Sequence, residues 1–162
     1  MANLTVPAET LRGARHWLDH VSAQGKQLGQ FGYTSRTSLK PAMSAEGLLC
    51  LQYLDVSRHD PLLESGARYL SKTLPRAKKE SSYYWYYGSQ VMFHLQGEHW
   101  KKWNNAMKPL LINSQVTEGH EAGSWKPEDQ WDKSGGRLLA TSLRVLILEV
   151  YFRPLPLYKM DN

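Results

Sequence analysis

The sequence predicts an all-α fold of three stacked helical hairpins in one domain, residues 1–162. Apolar residues recur at intervals of three and four through six segments, which is the period of an α-helix. Segments with one apolar stripe alternate with segments that are apolar almost all round, and turns rich in Gly, Pro and Ser separate them. This alternation favours outer helices that cover inner ones, in hairpins over residues 9–54, 60–96 and 98–152.

The three odd-numbered segments are predicted to be outer, amphipathic helices. Asp60 and Pro61 are expected at the N-cap and first position of the third helix, and Pro75 should end it. Pro109 is expected to kink the fifth helix. The stripes are Leu11, Ala14, Leu18 and Val21 in the first segment, Leu63, Ala67, Leu70 and Leu74 in the third, and Trp100, Trp103, Met107, Leu110 and Leu111 in the fifth.

The even-numbered segments are predicted to be inner helices over residues 43–54, 81–95 and 137–152. Pro41 suits the start of the first of them. Their apolar residues lie on nearly every face, which is typical of helices buried on most sides. Cys50 is flanked by two leucines and is interpreted as a small core residue. Ser44, Ser89 and Thr141 occupy similar places near the starts of these helices, which supports a threefold repeat.

Charge and composition favour a soluble, cytoplasmic chain. The N-terminal region has neither a basic start with a long apolar run nor a membrane span, and one cysteine is compatible with a reducing compartment. The net charge of +5 comes from scattered cations and one short cluster, Arg76 to Lys79, followed at once by Glu80. Without a compact basic face, this pattern predicts no nucleic-acid partner.

One polar-tipped stripe on the fourth segment is the best candidate ligand surface. Tyr83, Tyr87, Gln90 and His94 fall on one side of a helix at about 100° per residue. The alternative interpretation is that these groups hydrogen-bond to neighbouring helix ends and turns, as buried Tyr and His usually do.

A metal site is not predicted, and neither is a cofactor. His16 and His20 have the spacing of a metal-binding pair, and Asp19 lies beside them. However, both histidines face away from the apolar stripe and lack a third ligand, so they are interpreted as a solvated helix face.

The Gly- and Trp-rich turn before the sixth segment offers a further possibility, carbohydrate binding. Trp125 and Trp131, taken as exposed, would stack on a sugar ring. Asp129, Asp132 and Arg137 would hydrogen-bond to it.

The turns also carry a recognisable pattern of Gln followed by Gly-x-aromatic. Arg12-Gly13 is followed by Gln24 and Gly29-Gln30-Phe31, and Lys108 by Gln115 and Gly123-Ser124-Trp125. With the segments YWYYGSQV and GGRLLATSL, the chain resembles the α/α-toroid superfamily of squalene and hopene cyclases and protein prenyltransferases. The likeness is to "prenyltransferase and squalene oxidase repeat" proteins and covers nearly the whole chain.

That resemblance implies structural roles rather than catalytic ones. Its structural positions are Gln24, Phe31, Gln115, Gly123, Trp125 and Arg137. The acidic DxDD motif of the cyclases is absent, and Asp132-Lys133-Ser134 has Ser where an Asp-x-Cys zinc motif would have Cys. The expectation is therefore a non-catalytic interaction or scaffold module, about half of a closed toroid. The alternative is an isoprenoid- or lipid-binding protein, or a terpene-cyclase-like enzyme, with an aromatic-lined cavity for an apolar small molecule.

Half a ring would leave a flank of the last inner helix uncovered. Its apolar residues are too many to be covered by the fifth helix and one neighbour. The sequence therefore predicts a homo-oligomer or docking on a larger protein assembly. The residues concerned are Leu138, Leu139, Leu143, Val145, Leu146, Ile147, Leu148 and Val150.

Overall fold

The computed structural model describes residues 5–76, 81–152 and 157–158. Within these ranges every regular element is a helix and there is no β-strand, which confirms the predicted all-α class. The helices are α1 (Ala8–Val21), α2 (Pro41–Tyr53), α3 (Pro61–Leu70), α4 (Ser82–Leu95), α5 (Gly97–Ser114) and α6 (Gln130–Leu148), with 3₁₀ turns at Gly25–Gln27 and Glu149–Tyr151.

The helix starts follow local capping chemistry. The Asp60 carboxylate accepts a hydrogen bond from the Leu62 N–H at 2.8 Å, with Pro61 at the first helical position, as predicted. The Ser81 hydroxyl accepts from the Tyr84 N–H at 3.2 Å and caps α4 in the same way. Pro41 begins α2. These side chains satisfy N–H groups that the helix itself cannot.

Helix α4 lies at the centre of the packing. It packs against α2 on one side and α6 on the other, while α3 packs on α2 and α4, α5 on α4, and α1 on α2. Close approach of α5 depends on Gly88, where a Cβ would lie 2.4 Å from the buried indole of Trp103. The buried apolar cluster draws on all six helices.

Helix α6 begins seven residues before the predicted start at Arg137. The Asp129 carboxylate accepts hydrogen bonds from the N–H groups of Trp131 and Asp132, which caps an additional N-terminal segment. Gly136 then has a φ of 68° and divides the helix by a kink. The Gly pair that predicted a turn therefore forms a break inside the helix.

Several predicted core positions are exposed. Helix α1 is covered only at its C-terminal half, so Leu11 and Ala14 face solvent. Cys50 is also exposed, at an open cavity between α1 and α2 that it helps to line. Leu74 lies beyond the end of α3 and is half-buried. Helix α5 continues through Pro109.

None of the helices among the described residues is long and apolar enough to cross a membrane. Residues 77–80, which hold most of the predicted basic cluster, lie outside the described ranges.

Candidate functional site

The turn that connects α1 to α2 and the turn that connects α5 to α6 are built alike. In the first, Phe31 pairs with Ser22, the C-cap of α1, and its N–H donates to the Ser44 hydroxyl at 3.0 Å. In the second, Trp125 pairs with Gln115, the C-cap of α5. The Trp125 N–H donates to the hydroxyl of Thr141 at 3.2 Å. Both aromatic rings are buried.

The turn around Trp125 holds four of the six motif residues. The indole N–H of Trp125 donates to the Leu111 carbonyl of α5 at 2.9 Å. The Gln115 side-chain amide donates to the Gly123 carbonyl at 2.9 Å. Arg137 forms a 2.7 Å ion pair with Glu121 and also donates to the hydroxyl of the turn residue Ser124. These contacts tie the end of α5 to α6.

The first turn uses its residues differently. Phe31 is buried against α2, where a Cβ on Gly47 would lie 2.5 Å from its ring. Gln24 is exposed and immediately precedes the 3₁₀ turn Gly25–Gln27. Backbone contacts of its neighbours close this turn, since the Ala23 N–H donates to the Gln30 carbonyl at 2.9 Å.

The predicted ligand stripe of α4 divides into two pairs. Tyr83 and Tyr87 are half-buried, with ring centroids 4.8 Å apart. Gln90 and His94 are buried. The side-chain amide oxygen of Gln90 accepts a hydrogen bond from the Tyr53 hydroxyl at 3.4 Å. His94 Nδ1 accepts a hydrogen bond from the backbone N–H of Leu157 at 3.2 Å. Gln90 and His94 therefore bind neighbouring segments, whereas Tyr83 and Tyr87 remain partly accessible.

Helix α2 adds two residues that the sequence did not indicate as candidate site residues. Glu46 and Cys50 are four residues apart on one face of α2. Burial raises the pKa of Glu46, and the neighbouring Tyr83 of α4 opposes this in part. Burial and the Glu46 charge raise the pKa of Cys50, which disfavours the reactive thiolate. The four-residue spacing of Glu46 and Cys50 is the sequence feature that could have indicated that they share one face of α2.

An open cavity of about 340 Å³ lies beside Glu46, between α1, the following loop and α2. Its walls are mostly apolar and aromatic. The principal lining residues are Trp17, Phe31, Tyr33, Met43, Glu46 and Cys50.

The carbohydrate hypothesis is wrong in two of its residues. Trp125 is only 3% exposed, and Asp132 is fully buried. The Asp132 carboxylate accepts from Arg144 and from the Ser82 hydroxyl, each at 3.0 Å. Trp131 is 63% exposed at the start of α6.

Among the described residues no group of three or more His, Cys, Asp or Glu side chains is placed to hold a metal ion. His16 and His20 are exposed on α1, and the His20 ring lies 5.6 Å from that of Trp17.

A second groove, between α3 and α5, gathers more positive charge than the sequence suggested. Arg68, Lys72, Lys101 and Lys102 line it. Arg68 forms an ion pair with Glu64 of α3, and Lys101 with Glu98 of α5. Carboxylates thus offset half of these cations.

The described residues define an all-α protein with two related aromatic turns and one open, aromatic-lined cavity. No protein-family model, curated protein or solved structure matches the chain.

Proposed function

We propose that this chain is a non-catalytic interaction module that pairs with a second copy of itself through the free side of α6. The observation that supports this most is exposure: Leu138 is 80% and Val145 45% exposed. The side of α6 that is buried carries Ala140, Leu143 and Ile147. At 100° per residue, Leu138 and Val145 lie on the opposite side.

The spacing of the exposed residues suits another helix. Leu138 and Val145 are seven residues apart on α6, which is the repeat by which helices pack along a shared seam. Phe152 follows at the same spacing, directly after the 3₁₀ turn Glu149–Tyr151. Phe152 is 87% exposed. A row of apolar residues this exposed is typical of a contact surface rather than of a free monomer.

Symmetry favours a second copy of the chain as the partner of this apolar row. Most homo-oligomers use two-fold contacts, in which one surface faces itself. In an antiparallel pair of α6 helices centred on Val145, Leu138 would face Phe152 of the second copy. Glu149 would face Thr141 rather than another carboxylate, so no like charges would be opposed.

The test is light scattering coupled to size exclusion over a dilution series from about 1 μM to about 1 mM, a range that covers weak affinities. The wild-type chain should be a dimer at the upper end, and Val145→Glu should be monomeric with an unchanged thermal melt. Ile112→Glu, at another exposed apolar residue on α5, is the matched control and should still dimerise. A wild-type monomer at every concentration would remove the proposal.

The apolar cavity beside α1 favours a second candidate, binding of an isoprenoid or other lipid. Cavities for small molecules are mostly apolar with a few placed polar groups, and this one has aromatic walls. The Glu46 carboxylate in its wall is unfavourable for a purely apolar ligand. Mass spectrometry of an organic extract of the purified protein tests this candidate, and recovery of stoichiometric lipid would support it.

A further inference from the structure

The cavity between α1 and α2 has an uneven charge. Of its described lining residues, Glu46 alone has a charged side chain. The remaining walls are apolar, aromatic or neutral. An ion of positive charge is therefore the only kind whose charge this cavity would offset.

The Glu46 carboxylate itself lacks a full set of partners. Its Oε1 atom is buried and has no hydrogen-bond partner among the described residues. Tyr83 of α4 is close enough to lower the pKa of this carboxyl, although burial raises it by more. Glu46 as a whole is half-buried and lines the open cavity, so a positively charged N–H donor in that cavity is the partner that best offsets its charge.

The aromatic rings around the cavity add the second requirement. Phe31 forms the buried part of the wall, while Trp17 and Tyr33 are exposed at its open side. Aromatic rings provide apolar surface for the body of a ligand, and their faces also attract a nearby ammonium group through their quadrupoles. A carboxylate beside several rings is the combination that recognises an amine.

We propose that this cavity binds a small organic ammonium ion, with its charged nitrogen at Glu46 and an apolar body among the rings of Trp17, Phe31 and Tyr33. The volume of about 340 Å³ is within the range of small-molecule sites. This assignment does not depend on pairing through α6, since none of the cavity residues belongs to that helix.

Isothermal titration with two matched probes tests the assignment. Benzylammonium and benzyl alcohol have nearly the same shape and differ in charge. The wild-type chain at neutral pH should bind benzylammonium at least about tenfold more tightly, a difference in binding constant that titration resolves.

Three variants complete the experiment. Glu46→Gln keeps the shape of the side chain and should abolish the preference for benzylammonium. Trp17→Ala, at an exposed ring, should weaken benzylammonium binding several-fold and also serves if Glu46→Gln does not fold. Trp131→Ala removes an exposed indole elsewhere and should leave binding unchanged. The proposal is overturned if the wild type does not bind benzylammonium, if both probes bind equally, or if neither Glu46→Gln nor Trp17→Ala weakens binding.

Discussion

Trp125 and Trp131 are six residues apart and lie in opposite environments. The Trp125 ring is buried between the end of α5 and the start of α6, and its indole N–H has a partner in Leu111. The Trp131 ring projects into solvent from the first turn of α6. Tryptophan is often buried, but of these two residues only Trp125 packs in the interior and has a structural role.

The two residues provide a matched pair of substitutions. Trp125→Ala should lower the free energy of unfolding by about 3 kcal/mol or more, because it leaves a large cavity and an unpaired carbonyl. Trp131→Ala should change it by no more than about 0.5 kcal/mol, as exposed substitutions usually do. Urea denaturation measures both. Equal effects of the two substitutions would show that Trp125 does not hold the turn together.

At the scale of single elements, glycine has different consequences in α1 and α6. Gly13 lies within regular helix α1, whereas Gly136 has a φ of 68° and a ψ of −167° at the kink of α6. A Cβ at either position would meet nothing within 4 Å. Any effect of adding a methyl group therefore comes from the backbone alone.

We expect Gly13→Ala to stabilise the protein by about 0.5 to 1 kcal/mol, because alanine favours helix more than glycine does. Gly136→Ala should destabilise it by about 1 to 3 kcal/mol, because that backbone conformation is almost restricted to glycine. Thermal denaturation of the two variants against the wild type gives the signs. A stabilising effect of Gly136→Ala would mean that α6 is not kinked there in solution.

At the scale of the whole molecule, a buried ion pair joins α6 to α4. Asp132 and Arg144 are both nearly inaccessible and lie on the two sides of the Gly136 kink. Ser82, the first residue of α4, donates its hydroxyl to Asp132 and its N–H to Asp129. The Arg144 guanidinium also lies 5.7 Å from the centre of the Trp85 ring. The N-terminal part of α6 is held to α4 largely by these polar contacts.

Removing one partner of this pair should cost more than removing both. Asp132→Leu leaves the Arg144 charge buried and unpaired, which typically costs about 3 to 5 kcal/mol. The double variant Asp132→Leu, Arg144→Met should recover much of that loss, because no buried charge remains. Urea denaturation of the single and double variants provides the comparison. A double variant no more stable than Asp132→Leu alone would contradict the assigned role of the unpaired charge.

The sequence by itself determined the features that depend on neighbours along the chain. Helix spacing and turn residues predicted the six helices, and Asp60 with Pro61 predicted the start of α3, because capping is a contact within one turn. The pattern of Gln followed by Gly-x-aromatic also drew attention to Phe31 and Trp125, and both rings are buried in similar turns.

Only the tertiary structure decided which side of each helix is covered. Cys50 was expected in the core and is exposed, because it lines an open cavity between α1 and α2. Trp125 was taken as exposed for sugar binding and is buried, because α5 and α6 close over it. The cavity beside Glu46 forms only because α1 and the loop after it fold back onto α2. Apolar periodicity predicts a helix and its apolar side. Burial depends on which other element packs against that side, and such contacts join residues that are far apart in the chain.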